Sequence, residues 1–208
     1  MDSMTPTEGT LRAPDPSDAK AALRATIRHE RLQRSERRLH EHALALRDRV
    51  LGLPAVADAD CVSVYASRPH EPGTYPLIEA LHRRGIEVLI PMLGDGLQRG
   101  WGRYQGPEDL VERAPGRPPE PSGPFLAPHA LADAEVIVVP ALAVDLAGTR
   151  LGQGGGWYDR ALTESREEIP IIALTFDNEV REEPLPRERH DLGVSMVITP
   201  ARVLDLPR

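Results

Sequence analysis

The sequence predicts an α/β fold: a single three-layer domain with a mainly parallel central sheet flanked by helices and preceded by an N-terminal helical pair. Three observations predict it. From residue 61 onward, short β-branched apolar runs alternate with helical patterns, the arrangement that builds parallel sheets covered on both faces. Before residue 52 the apolar spacing is helical instead, with Leu39, Ala43, Leu46 and Val50 at i, i+4, i+7 and i+11. A chain of 208 residues, 40% hydrophobic and 27% charged, suits one globular domain with a sizeable core.

Taken in order, residues 1 to 16 mix Pro, Asp, Thr and Gly without periodicity and read as a disordered extension, leaving 17–208 as the domain. Ser17 is placed to cap a helix from Asp18 to about Gln33, and Ser35 a second helix through Val50. Gly52, Pro54 and Asp58-Ala59-Asp60 end it. Cys61–Ala66 reads as a strand, Tyr75–Arg84 as a helix and Glu87–Met92 as a strand. Residues 94 to 130 are rich in Gly and Pro and give little guidance beyond extended character around Trp101–Tyr104. Glu135–Pro140 is a β-branched strand, a helix is expected from Gly155 to Glu167, and Ile169–Thr175 and Ser195–Thr199 read as further strands.

Composition narrows the function classes. A net charge of −7 leaves no footprint for nucleic acid. No apolar run approaches a membrane span, and the N-terminus lacks the apolar core of a signal peptide. The single cysteine, Cys61, sits in a strand-like run and reads as a buried, inert thiol suited to a reducing compartment. The expectation is a cytoplasmic monomer acting on small molecules.

The richest segment is Arg150-Leu151-Gly152-Gln153-Gly154-Gly155-Gly156-Trp157-Tyr158-Asp159-Arg160. Glycines let backbone N–H groups approach a ligand closely, and a glycine-rich turn opening into a helix suits phosphate. It is neither standard phosphate fingerprint: no Lys-Ser/Thr pair follows, and the third glycine of GxGxxG would fall on Trp157. Lys20, Arg24, Arg28 and Arg31 share one helix face, which is either solvated or a phosphate clamp if it turns toward the glycine loop. Asp159 could simply complement a helix dipole, and Glu71 could be an exposed loop acid. His190-Asp191 has no serine or cysteine in a nucleophile elbow to serve. Histidine-rich metal spacing is missing, so carboxylates beside a nucleotide suggest Mg²⁺.

Leu151–Arg160 resembles the LGRGGGYYDR signature of the 5-formyltetrahydrofolate cyclo-ligase (5,10-methenyltetrahydrofolate synthetase) family. Lys20-Ala21-Ala22-Leu23-Arg24 is similar to that family's KxxLR, and Glu71-Pro72-Gly73-Thr74 to its ExxT. Glu120-Pro121 resembles its middle Glu-Pro, Val139–Asp145 its VPGLAFD, and His190-Asp191 its closing HD. The resemblance implies one α/β domain that converts 5-formyltetrahydrofolate, with MgATP, to 5,10-methenyltetrahydrofolate, ADP and phosphate through a phosphorylated formyl group.

It also implies site residues. Lys20, Ala21, Ala22, Leu23 and Arg24 would contact ATP, as would Arg150, Leu151, Gly152, Gln153, Gly154, Gly155, Gly156, Trp157 and Tyr158. Ala66, Glu71 and the stretch Gln153–Trp157 would face the folate, with Glu71 on the pterin. Asp159 and Asp191 would hold Mg²⁺, and Lys20, Gln153 and Tyr158 would be catalytic. One departure matters: Gln153 stands where the family carries arginine, removing a charge that Arg150 or Arg160 is expected to replace in part. Two alternatives stay open, a paralogue activating another formyl or amide compound with ATP, and a non-catalytic folate- or nucleotide-binding protein.

Overall fold

A computed structural model describes residues 16–188 and 191–207. The predicted N-terminal extension, apart from Pro16, and His190 of the His-Asp pair lie outside the described residues. The helices are α1 (Pro16–Leu32), α2 (Glu36–Leu51), α3 (Pro54–Ala57), α4 (Tyr75–Arg83) and α5 (Trp157–Ala161). The strands are β1 (Cys61–Val64), β2 (Glu87–Leu93), β3 (Arg99–Arg103), β4 (Leu110–Val111), β5 (Glu120–Pro121), β6 (Val136–Pro140), β7 (Ala143–Asp145), β8 (Arg150–Leu151), β9 (Ile171–Leu174), β10 (Val180–Arg181), β11 (Met196–Ile198) and β12 (Val203–Asp205).

Seven strands form the central sheet in the order β12-β11-β9-β6-β1-β2-β3. The five inner strands run parallel, while β3 and β12 pair antiparallel at the two edges. Val136 to Val139 of β6 are all 0% exposed, so side chains leaving both faces of this strand are covered. Two helical groups provide the cover. One is α2 packed against α4; the other joins the 3₁₀ turns at Pro128–Asp133 and Leu162–Glu164 beside α5. Leu46 and Val50 of the predicted apolar stripe are 0% exposed within the main core.

Local chemistry explains the boundaries. Ser35 caps α2 by accepting from Arg38 N, and Gly52 closes it. α1 begins at Pro16, so Ser17 lies in its first turn rather than at its cap. The helix expected over 155–167 is much shorter: α5 gives way to a 3₁₀ turn at Leu162, and the main-chain N–H of Ser165 and its hydroxyl both donate to Leu162 O. That hydroxyl competes with helical bonding, and the helix stops.

A small sheet of β10, β7 and β8 was not anticipated from the sequence. It surrounds Asp145, 1% exposed, whose carboxylate accepts from the N–H groups of Ala147, Thr149 and Leu185. No helix among the described residues is long and apolar enough to cross a membrane.

Candidate active site

In a parallel sheet the carboxyl ends of the strands share one edge, where the chain leaves through irregular loops. β1 ends at Val64, and the residues after it, Tyr65, Ala66, Arg68 and Glu71, line a cavity of about 590 Å³. β6 brings Pro140 to the same cavity, and Arg150 to Asp159 form another wall. α1 adds Ser17, Lys20 and Arg24; the segment before β11 adds Glu188 and Asp191. The loop after β1, the glycine loop and the segment before β11 therefore converge.

The glycine loop holds conformations that other residues resist. Gly154 has φ 100° and Gly156 φ 57°, and a Cβ at Gly155 would meet nothing within 4 Å, leaving that backbone open to a ligand. α5 has only five residues, so its macrodipole is weak. Fixed positive charge comes instead from α1.

All four cations of the α1 face have partners, although Arg28 stays exposed. Lys20 Nζ donates to Asp191 Oδ2 at 2.7 Å and Glu188 Oε1 at 3.1 Å. Arg24 Nε donates to Gly152 O at 2.9 Å. Arg28 grips Gln153 through Nη2 to the main-chain oxygen at 2.8 Å, and through Nη2 and Nε to Oε1 at 3.0 and 3.1 Å. Arg31, 3% exposed, bonds both oxygens of fully buried Glu179 and the carbonyl of Ala141. Glu179 also accepts from Thr175 Oγ1 and Phe176 N; a buried ion pair so satisfied anchors α1 in register.

Gln153 also reaches across the cavity, where its Nε2 donates to Glu71 Oε1 at 2.9 Å. Arg68 N donates to Glu71 Oε2 at 2.9 Å. One amide thus joins α1, the glycine loop and the loop after β1. Burial would lower the Lys20 pKa, but its hydrogen bonds to Asp191 and Glu188 outweigh that and raise it above 10.5, so this group is cationic at neutral pH. Tyr158 lines the cavity with a buried hydroxyl that has no hydrogen-bond partner. Burial pushes its phenol far up, leaving a neutral donor.

A model of the 5-formyltetrahydrofolate cyclo-ligase family matches residues 16–200. The chain belongs to this family. It is 36% identical to a 5-formyltetrahydrofolate cyclo-ligase of Mycolicibacterium smegmatis over 88% of this chain and 95% of that protein. With the Escherichia coli K12 cyclo-ligase it shares 31% identity over 74% of this chain and 86% of the other. An NMR structure of Aquifex aeolicus 5,10-methenyltetrahydrofolate synthetase superposes with a TM-score of 0.77 at 28% identity, covering 91% of this chain and 93% of that one. The mostly parallel α/β architecture is thus the fold of a cyclo-ligase relative.

Within this cyclo-ligase chain, Lys20, Arg24, Ala66, Glu71 and the whole stretch Arg150–Asp159 share one cavity with Asp191. Ala21, Ala22 and Leu23 do not reach it. The helix turns Ala21 and Ala22 to the exterior, and Leu23 packs on Ile27, Leu142, Ala143, Leu151 and Leu185. Nor do Arg150 and Arg160 serve Gln153. Arg150 Nη2 pairs with Asp159 Oδ1 at 2.8 Å, and Arg160 bonds Gly155 O. The guanidinium at Gln153 belongs to Arg28. Arg28 does not line the cavity itself and bears on it through Gln153; the sequence placed it on the basic face without assigning it a partner.

Among the described residues no group of three or more His, Cys, Asp or Glu could hold a metal ion. The donor set still fits Mg²⁺. Asp159 and Asp191 line the cavity beside cations, and a Mg²⁺ carried by phosphates needs only one or two protein carboxylates.

Proposed function

We propose that the chain converts 5-formyltetrahydrofolate to 5,10-methenyltetrahydrofolate, consuming MgATP and releasing ADP and phosphate. The observation that carries this reading is the shared cavity, which gathers the glycine loop, Lys20 and Arg24, the carboxylates Glu71, Asp159 and Asp191, and the rings of Trp157 and Tyr158. A formyl amide oxygen is a poor leaving group, and phosphorylation makes it a good one. The formyl oxygen attacks the γ-phosphorus and ADP departs. N10 then attacks the activated carbon and loses its proton, and phosphate carries the oxygen away.

Such chemistry asks for alignment and charge compensation more than for covalent catalysis. Lys20 uses two of its three N–H donors on Asp191 and Glu188, and the third serves a phosphate oxygen. The N–H groups of Gly154 to Gly156 and the Arg24 guanidinium cradle the same tail. Arg28 carries the charge that Gln153 lacks. Tyr158 donates its partnerless hydroxyl to the oxygen that bridges carbon and phosphorus. Glu71 and Ala66 meet the folate at the end of β1. Asp159 and Asp191 would hold Mg²⁺, which when bound neutralises charge on the phosphate oxygens. In this reading the protein acts in the cytoplasm as a monomer, with ATP and the folate as its partners.

The test mixes purified protein, 5-formyltetrahydrofolate and MgATP, following methenyl-folate absorbance and ADP together. Equal appearance of both supports the reading. Folate binding without either product overturns it, as does inertness here combined with ATP-dependent turnover of another formyl compound.

A further inference from the structure

The cavity contains a carboxylate that nothing described so far uses. Glu120, on β5, lines the cavity, yet its side chain is only 7% exposed. Its Oε2 is buried and accepts no hydrogen bond. Arg113 Nε stands 3.5 Å away, an ion-pair distance without hydrogen-bond geometry, and Arg113 spends an Nη2 donor on Pro121 O instead. A buried carboxylate oxygen without a donor costs free energy unless something arrives to fill it.

The surroundings say what kind of donor arrives. Glu120 shares its wall with Pro91, Met92, Leu93, Pro118 and Pro119. β5 packs on both β2 and β3, so this wall is held by the main sheet. Arg99 and Arg117 line the cavity as well, but the residues named with Glu120 are apolar, a setting that suits a heteroaromatic ring bearing adjacent N–H groups. Glu71 is a poorer candidate for that edge, since Gln153 and Arg68 already donate to its two oxygens.

We propose that Glu120 is a substrate-binding residue that reads the amino edge of the pterin, accepting from N3–H and the 2-amino group. The inference rests on the proposed folate substrate and names the group that orients it. The tetrahydropterin has further donors, so Glu71 keeps its own contact with the folate. With the amino edge fixed on Glu120, the formyl-bearing side of the ring turns away from β5 toward the glycine loop.

The experiment measures binding of 5-formyltetrahydrofolate, and of its 2-desamino-2-methyl analogue, by calorimetry without nucleotide. Wild type is compared with Glu120→Leu and Glu120→Gln. Glu120→Leu is expected to weaken the natural folate about ten- to a hundredfold, the range of a hydrogen bond to a charged group. It should weaken the analogue by a clearly smaller factor than the natural folate, because the analogue keeps N3–H but lacks the 2-amino donor. Glu120→Gln, which keeps an acceptor, should fall between, and guards against a folding defect in the leucine variant. Equal losses for both ligands would make Glu120 merely structural and overturn the assignment. So would undiminished folate binding in Glu120→Leu. If wild type binds the folate without turning it over, the proposed activity fails while this assignment stands; if wild type binds no reduced folate, both fail.

Discussion

Replacing Arg28 with alanine should raise the KM for ATP and for the folate together while leaving kcat within about twofold. Arg28 makes three donor contacts to Gln153, at 2.8, 3.0 and 3.1 Å, and Gln153 in turn holds Glu71. Losing the pair frees the loop on one side and the folate-facing acid on the other. A net hydrogen bond to a neutral amide contributes about 0.5–1.5 kcal/mol. Arg28 is exposed, so the lower part of that range applies to each contact. Three contacts at about 0.5 kcal/mol each sum to about 1.5 kcal/mol, a factor of about 12 in each KM. The same contacts hold the folded loop, so melting temperature should also fall, by about 3 to 6 °C for a loss of about 1.5 kcal/mol. Arg28→Lys should recover only part of the loss, because an ammonium cannot form the guanidinium fork. The double change Arg28→Gln with Gln153→Arg relocates the charge and should recover more than either single change. Steady-state kinetics against each substrate decides it. Unaltered KM values in a folded Arg28→Ala protein would refute the reasoning.

Three further outcomes are expected. Tyr158→Phe should match or slightly exceed wild type in melting temperature, since the buried hydroxyl has no partner to lose, while kcat falls roughly tenfold or more; a stability loss with normal kcat would contradict this. Asp159→Asn should lose most turnover at limiting Mg²⁺ and recover part of it at high Mg²⁺, and an undiminished rate at low Mg²⁺ would remove Asp159 from the metal site. Burial raises the Cys61 thiol to about 12, so a thiol reagent at pH 8 should label it only in denaturant. The same raised value makes its contribution to stability fully present below pH 9.0 and lost as pH rises toward about 12, which melting curves across that range would show.

The inner strands were legible because β-branched runs buried on both faces have few alternatives. Val136 to Val139 needed no context. The edges were not. β12 has an exposed-intermediate-exposed pattern over three residues, which no periodicity can mark, and β4 and β5 have two residues each. The helix expected through Glu167 failed for a different reason: Thr163-Glu164-Ser165-Arg166-Glu167 carries no apolar residue to hold it on the core, and Thr163 and Ser165 offer hydroxyls to carbonyls three residues back.

The site was legible in its parts and illegible in its pairings. A glycine run announces a backbone ready for phosphate, and cations at i, i+4, i+8 and i+11 announce one helix face. Nothing local tells a solvated face from a clamp, because the deciding partners lie 125 residues away for Arg28 and 148 for Arg31. The structure supplies the reason for the spacing. From Lys20 to Arg31 the helix advances about 16 Å, and each cation along it meets a different part of the chain: Asp191, Gly152, Gln153, then Glu179. A solvated face would tolerate gaps in that series, whereas a strap across several loops needs a donor at every turn. Arg31 is the buried end that sets the register, so the three cations nearer the N-terminus are aimed by a contact that touches no ligand. Glu120 was marked only by the likeness of Glu120-Pro121 to a family motif, because a lone acid among prolines has no period to betray which way it points.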